Sequence, residues 1–303
     1  MRAEAIGKKA IKIINSIVSN ALLVIVVALV TFAGYALWDS KQVYKAADKA
    51  NYEVYKPQAE DEGKTFRELT IINPEVIAWL DVYGTNIDYP VTQGNDNYKY
   101  VNTSAAGIYS LSGAIFLDAS NSRDFSDYNS ILYGHHMDKN VMFGEIGGFS
   151  DKNVFDSHRY GNLYFEEKDQ GIEFFAFLHA DAYDRSVFFP NVGLEKHQSY
   201  LKNIIENALH IRDVELTAAD RIILLTTCSV FSTNGRDILV GKITEEVYDD
   251  PFHGSNTGGV IRQAAAGLHG LTEVIFLWPL LLILLLAVRI VTLITVSCRR
   301  RQT

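Results

Sequence analysis

Two long apolar segments frame the chain of 303 residues, and short apolar runs lie between them. Residues 17–38 and 274–297 each supply about 20 mostly apolar positions, the length that a helix needs to cross a bilayer. Basic residues precede the first segment, and three arginines (299–301) follow the second. Because basic flanks favour the cytoplasmic side, we expect two membrane helices, both termini in the cytoplasm and the middle of the chain outside the cell.

The first segment has an alternative interpretation as a cleaved signal peptide. Gly34-Tyr35-Ala36 is an acceptable small-x-small cleavage site. However, the apolar core of a signal peptide is roughly 7–15 residues long, which is shorter than this segment. We therefore favour a membrane helix that is retained.

Between the apolar segments the pattern changes to alternation. Asn73 and Pro74 suit the N-cap and the first position of a short helix over 75–78. A stripe with spacings of three and four residues predicts a second helix over 195–210. About eight strands with one crossover helix predict a mainly β domain, built as a closed or nearly closed barrel. The strands are predicted at 79–83, 87–91, 114–117, 130–133, 162–165, 173–183, 221–227 and 237–244.

These patterns divide the chain into segments, and charge separates them further. Eight of the 28 basic residues but only two of the 36 acidic ones lie in the two tails, so the outer domain is acidic. An acidic domain argues against nucleic acid as a partner. The segments are a cytoplasmic N-terminus (1–16), a transmembrane helix (17–38), an N-terminal helical region (39–70), the β-barrel (71–248), a linker (249–273), a second transmembrane helix (274–297) and a cytoplasmic C-terminus (298–303).

The candidate chemistry centres on Cys228, which ends an apolar, β-branched run. The other cysteine, Cys298, lies beside the basic C-terminal tail, so Cys228 has no disulfide partner outside the membrane. A lone thiol is either an inert buried side chain or a nucleophile. Arg236 favours the nucleophile, because Asn234-Gly235 indicates a turn that would return the next strand beside the first. A guanidinium there could stabilise a thiolate, hold a substrate carbonyl or stabilise an oxyanion.

A histidine suited to proton transfer follows another predicted strand. His135 and His136 come directly after Gly134. Acyl transfer by a cysteine needs a group that receives and returns protons near neutral pH, and we favour His135 for this role. No cluster of His, Cys and carboxylate residues has the spacing of metal ligands, so we expect neither a metal nor a cofactor.

With these residues in place, the chain resembles the sortases, which are membrane-anchored cysteine transpeptidases of Gram-positive bacteria, and specifically class B. The resemblance covers nearly the whole outer domain, and its specificity comes from the order and spacing of several short motifs. These motifs are NPEVIAWL (73–80), GTNIDYPVTQG (84–94), GAIFLD (113–118), YGHHM (133–137), MFG (142–144) and LTTC (225–228) followed by Arg236.

The resemblance implies an eight-stranded sortase barrel and a division of chemical roles. Cys228 would attack a carbonyl of a C-terminal sorting signal, His135 would act as general acid and base, and Arg236 would orient the peptide and stabilise the oxyanion. We also expect Thr226 and Thr227 to bind substrate. An amine from a pilin lysine or a peptidoglycan cross-bridge would resolve the thioester. The expected partners are therefore secreted surface proteins or pilins that carry a sorting signal, together with the membrane.

Two features depart from the class B pattern. Class B sortases often carry an acidic residue just after the cysteine, where this chain has Ser229 and Val230. A second membrane helix is more familiar among pilus-building sortases, so we favour pilin polymerisation over the anchoring of a single surface protein to peptidoglycan.

Two other classes of protein are alternatives to the sortases. A papain-like protease would place its cysteine at the start of a helix and earlier in the chain than its histidine, whereas here His135 precedes Cys228. A non-enzymatic scaffold with two membrane helices is the alternative from another class, and it needs no thiol.

Overall fold

The computed structural model describes residues 2–57, 63–229 and 233–252. The predicted second transmembrane helix (274–297), most of the linker and the C-terminal tail lie outside these residues. The helices are α1 (Arg2–Ala47), α2 (Lys64–Ile72), α3 (Lys152–Ser157) and α4 (His197–Glu206). The strands are β1 (Val76–Val82), β2 (Asp88–Thr92), β3 (Ile115–Leu117), β4 (Asn129–Tyr133), β5 (His136–Met137), β6 (Val141–Met142), β7 (Tyr160–Phe165), β8 (Lys168–Asp181), β9 (His210–Ile211), β10 (Ile222–Cys228) and β11 (Gly235–Thr244).

Helix α1 is a long helix, and most of its described apolar side chains are exposed. Over Ile6–Ala47 it is long and apolar enough to cross a membrane, as judged by length and composition. Large apolar side chains such as Ile17, Leu29 and Phe32 are exposed along it. Exposed apolar side chains along a helix of this length are typical of a segment surrounded by lipid. The chain divides after Gln42, and the last turn of α1 belongs to the compact unit 43–254.

Eight strands of this unit form a closed ring. The order is β11-β10-β4-β3-β2-β1-β7-β8, and β8 pairs with β11 to close it. The pairs β2–β3 and β4–β10 are parallel, whereas the other pairs in the ring are antiparallel. The short strand β9 adds to the side of β8, and β5 and β6 form a separate hairpin. The prediction of an eight-stranded barrel is confirmed.

The helix predicted at 75–78 is wrong, because Glu75 lies in a turn and Val76 begins strand β1. The Asn73 side chain does accept a backbone hydrogen bond, but from Glu75 in a turn rather than at a helix start (3.1 Å). Its amide nitrogen donates to the Tyr100 hydroxyl and to the Ala105 carbonyl, both at 2.9 Å. The turn leads directly into β1, which pairs on both sides with β2 and β7, so sheet pairing overrides the local helix signal.

The crossover helix is also shorter than its apolar stripe. Helix α4 ends at Glu206, and His210 already belongs to β9. The Leu209 amide donates to the Phe177 carbonyl on β8 at 2.8 Å. Pairing with an available strand edge therefore replaces the last helical turn that the spacing predicts.

Two hydrophobic clusters define the inner and outer faces of the sheet. Ile223 and Leu225 of β10 belong to the cluster inside the barrel. Ile222 and Leu224 belong to the cluster that packs beneath α4. Because successive side chains of a strand point to opposite faces, Thr226 and Cys228 continue the outer face.

Candidate active site

Cys228 and Arg236 are direct cross-strand neighbours. In the antiparallel pair β10–β11 they oppose each other, one residue beyond the pair Thr227 and Asp237. Opposing residues of an antiparallel pair present their side chains on the same face, with Cβ atoms about 4.5–5.5 Å apart. The ladder continues one step further, since the Ser229 amide donates to the Gly235 carbonyl at 2.8 Å. Cys228 is a free, exposed cysteine, so its thiol is open to a substrate.

The guanidinium of Arg236 is half-buried at the end of the sheet. Its Nη1 donates to the carbonyl of Gly235 at 3.0 Å. On its other side Arg236 is paired with Ala180 of β8. The backbone of this arginine is therefore held between two strands. Among the described residues, its guanidinium makes one hydrogen bond, so four of its five N–H donors have no acceptor in that part of the chain.

His135 reaches the same edge of the barrel through the parallel pair β4–β10. Tyr133 is the register partner of Thr226, and the Gly134 amide donates to the Thr226 carbonyl at 3.2 Å. His135 thus follows Tyr133 by two residues, as Cys228 follows Thr226. Both residues therefore follow the same end of the parallel pair, at the same edge of the barrel.

The two histidines have different surroundings. Nε2 of His135 lies 2.8 Å from the carbonyl oxygen of Val101. If Nε2 carries the proton of this hydrogen bond, Nδ1 is left as the basic nitrogen. His136 instead begins the β5–β6 hairpin opposite Met142. Its Nδ1 is buried and has no hydrogen-bond partner among the described residues.

The two threonines proposed for substrate binding lie almost fully out of solvent. Thr226 is 1% exposed and Thr227 is 2% exposed. Thr226 shares the outer face with Cys228, whereas Thr227 points to the barrel interior. Their Oγ1 atoms have no hydrogen-bond partner within the described part of the chain. Of the two, only Thr226 shares the face of the sheet that carries Cys228 and Arg236.

Tyr133 lies beside the candidate site, and sequence reasoning gave it no role of its own. Its hydroxyl donates to Oδ2 of Asp118 at 3.0 Å. Burial raises the pKa of Tyr133 well above its ordinary value; Asp118 adds to the shift, and the positive charge of Arg236 opposes it. This electrostatic interaction links Tyr133 to the guanidinium. The sequence contained a signal, because Tyr133 precedes His135 by two residues in the same strand and strand extension.

Asp237 is a second residue that the sequence did not reveal. Its side chain is 1% exposed, and its Oδ1 lies 2.8 Å from Nδ1 of His179 on the neighbouring strand β8. Gly147 makes room for the carboxylate, since a Cβ at that position would lie 2.9 Å from Oδ2. A buried carboxylate with a histidine partner therefore lies directly behind Arg236. A charged residue at an inward position of an apolar strand is the signal that could have found it.

Among the residues that the structure describes, no group of three His, Cys, Asp or Glu side chains is placed to hold a metal ion. The assembled groups are instead a thiol, an imidazole and a guanidinium. Such a set can carry out nucleophilic acyl transfer with proton exchange and oxyanion stabilisation.

Known proteins resemble this chain in sequence and in fold. A sortase B from the type II pilus of Streptococcus pneumoniae is 46% identical, covering 59% of this chain and 98% of that one, with a TM-score of 0.53. A class B sortase of Streptococcus pyogenes involved in pilus biogenesis is 39% identical, covering 60% and 99%, with a TM-score of 0.55. Sortase B of Listeria monocytogenes is 27% identical over 243 residues, which are 76% of this chain and 98% of the relative. No family model matches the chain.

Proposed function

This chain belongs to the class B sortases, and on this premise we propose that Cys228 is the nucleophile of its transpeptidation. In this proposal His135 is the general acid and base, and Arg236 stabilises the oxyanion. Family membership makes the protein a cysteine transpeptidase and removes the alternative of a non-enzymatic scaffold. The observation that carries the assignment is the register of β10 and β11, in which an exposed thiol directly opposes an arginine.

The first half-reaction forms a thioester. The Cys228 thiol passes its proton to His135 as its sulfur attacks the carbonyl carbon before the scissile bond of a C-terminal sorting signal, and negative charge develops on the carbonyl oxygen. The Arg236 guanidinium donates hydrogen bonds to that oxygen, which is worth most in a site that is partly shielded from water. The carbon–nitrogen bond then breaks, and the leaving amine takes a proton from His135.

The second half-reaction transfers the acyl group. An acceptor amine gives up a proton to His135 and attacks the thioester carbonyl. Arg236 again stabilises the oxyanion, and the intermediate collapses to an amide as the Cys228 sulfur leaves. In each half-reaction His135 takes up one proton and gives one up, the last of them to the departing Cys228 sulfur, so the enzyme returns to its starting state.

The substrate that we propose is a pilin, with a lysine of the next pilin as the acceptor amine. This proposal is supported by two similar sortases, one from a type II pilus and one involved in pilus biogenesis. Anchoring of a single surface protein to a peptidoglycan cross-bridge is the alternative. The full-length enzyme, mixed with candidate pilins and with a branched-peptide amine, distinguishes them. Ladders of covalent pilin oligomers support polymerisation, whereas transfer to the branched peptide alone supports wall anchoring.

We further propose that both termini lie in the cytoplasm and that residues 39–270 lie outside the cell. The exposed apolar length of α1 supports the first membrane crossing. The apolar segment 274–297 and the arginines after it support the second. Cysteines engineered near residues 5 and 300 should not react with an impermeant thiol reagent in intact cells. Strong labelling at either position would exclude this topology.

Alanine substitutions test the catalytic assignment. Cys228→Ala, His135→Ala and Arg236→Ala should each remove transpeptidation while thermal unfolding stays close to that of the parent protein. His136→Ala is the matched control, because it removes the neighbouring imidazole and should retain substantial activity. If His136→Ala were inactive and His135→Ala active, the proton transfer would belong to His136 and the assignment to His135 would be wrong.

A further inference from the structure

Tyr89 is a buried tyrosine whose hydroxyl joins two separate segments of the chain. It lies on β2 and is 2% exposed. The hydroxyl donates to the Ala47 carbonyl at 2.9 Å and accepts from the Met142 amide at 3.2 Å. A hydroxyl has one proton and two lone pairs, so both hydrogen bonds form together. Burial raises the pKa of Tyr89 to about 12, which keeps the hydroxyl protonated and able to donate.

The first segment is the end of helix α1. The last carbonyls of a helix lack partners within the helix, and here other groups satisfy them. Tyr89 bonds to Ala47, while Nδ2 of Asn51 donates to the carbonyl of Lys45 at 2.8 Å and to that of Ala46 at 3.3 Å. This helix end is therefore fastened to the barrel at a defined position.

The second segment is the β5–β6 hairpin, which follows His135 directly. Lys139 at its tip also contacts the end of α1, with Nζ 4.3 Å from the centre of the Tyr44 ring. Lys139, Asn140 and Met142 all have positive φ angles, between 53° and 62°. Such conformations are costly for residues other than glycine and persist only where surrounding contacts hold them. The Tyr89 hydroxyl provides one of these contacts, at Met142.

From Met142 the connection to His135 is one residue long. The Phe143 amide donates to the His135 carbonyl at 3.1 Å. The Phe143 ring is fully buried, and it packs so closely on Gly134 that a Cβ there would lie 2.7 Å from the ring. Phe143 thus contacts the backbone of two consecutive residues: its ring packs on Gly134, and its amide bonds to His135.

We propose that Tyr89 is a positioning residue, which ties the backbone of the His135 segment to the end of the membrane-anchoring helix. The inference rests on the proposed catalytic role of His135. Tyr89 does not touch the substrate; it acts through Met142 and Phe143. The last turn of α1, residues 43–47, is accordingly part of the framework that holds His135.

Tyr89→Phe tests this inference in the full-length protein in detergent, since it removes the hydroxyl and keeps the ring. A misplacement of about 1 Å can cost up to about 100-fold in rate, and we expect kcat to fall about tenfold with KM unchanged within twofold. Hydrogen exchange of the backbone amides in 135–144 should become faster. Tyr44→Leu, which removes the ring beneath Lys139, should produce a smaller loss of kcat in the same direction.

Tyr83→Phe is the matched control. Tyr83 is also buried, and its hydroxyl donates to the backbone carbonyl of Tyr248, in the segment after β11 (3.2 Å). We expect this variant to keep its kcat and the exchange pattern of 135–144. An equal loss in the control, an effect on KM alone, or an unchanged kcat in Tyr89→Phe would each overturn the inference. Full activity of Tyr89→Phe beside an inactive His135→Ala overturns this inference alone, whereas an active His135→Ala overturns the catalytic assignment as well.

Discussion

The thiol and the imidazole of the site are held by different kinds of structure. Cys228 and Arg236 are locked by one antiparallel ladder, in which seven consecutive residue pairs keep register from Ile222 to Cys228. His135 lies beyond the last paired residue of β4, and contacts from distant parts of the chain hold it in place. Its ring bonds to the Val101 carbonyl and its carbonyl accepts from the Phe143 amide.

This difference separates what is rigid from what is adjustable. A ladder is a local, repetitive structure, so one changed side chain leaves the relation of Cys228 to Arg236 intact. The His135 segment depends on a few individual hydrogen bonds and on a hairpin with positive φ angles. Changes far from the reacting atoms should therefore alter catalysis through the histidine more readily than through the cysteine or the arginine.

The largest expected effect comes from Arg236→Lys, which changes the side chain opposite Cys228 and leaves the pairing of β10 with β11 unchanged. Lysine keeps the positive charge but loses the planar fork of donors. Loss of an oxyanion donor costs about 100- to 1,000-fold in kcat, and we expect a loss of kcat in that range. Thermal unfolding should stay close to that of the parent protein. A variant with near-normal kcat would show that charge alone suffices.

Gly144→Ala tests the histidine side. A Cβ at Gly144 would collide with the carbonyl oxygen of Met137 in the β5–β6 hairpin. We expect a loss of about 1–3 kcal/mol in the free energy of unfolding and a clear loss of kcat, measured by denaturant titration and transpeptidation assay. Gly148→Ala is the matched control, because its Cβ would meet no atom within 4 Å. If kcat survives in Gly144→Ala, the hairpin does not position His135.

Asp237→Ala tests the buried pair of Asp237 and His179, which lies next to the pairing of Cys228 with Arg236. It removes the buried carboxylate that pairs with His179. Truncating one partner of a buried hydrogen bond costs about 1–3 kcal/mol, and we expect destabilisation in this range with a smaller effect on kcat than Arg236→Lys. Asp156→Ala serves as the control, since its pairing with Lys152 is exposed and contributes little. Equal stability of the two variants would show that the buried pair is dispensable.

The smallest effect concerns a region remote from both sides of the site. Burial and the neighbouring Asp88 raise the pKa of Asp81 to about 6, against the opposing charge of Lys56. The folded protein thus holds a proton that the unfolded chain releases between about pH 4 and pH 6. The free energy of unfolding should therefore fall as the pH rises through this window.

Asp81→Asn removes that titration. We expect its unfolding free energy to vary less between pH 4 and pH 6, by about 1 kcal/mol after allowance for partial exposure. The kcat should be unchanged, because Asp81 lies on β1, whereas the proposed catalytic residues lie on β10 and β11 and after β4. Glu206→Gln, at an exposed position on α4, is the control and should keep the pH dependence of the parent protein. A parent protein that gains stability across this window would contradict the sign.

Local patterns in the sequence predicted much of the barrel. Alternation of apolar and polar residues identified all eight strands of the ring, although some of their ends differ from those observed, by up to five residues. The errors came where tertiary pairing competes with local preference. Asn73-Pro74 indicated a helix start, but β1 gains partners on both sides. The stripe after Glu206 continued a helix, but β8 offered an edge to pair with.

The pairing of Cys228 with Arg236 could be foreseen because the two residues lie at either end of one turn between neighbouring strands. The register of such a hairpin depends on its own residues. The sequence by itself also determined the apolar length of α1 and the order of the motifs. Only the tertiary structure decided the burial of Asp237 beside His179 and the contact of Tyr133 with Asp118. It also decided the bridge from Tyr89 to Ala47 and Met142. These contacts join residues 15 to 58 positions apart, and closing such loops depends on the fold of the whole barrel rather than on any local pattern.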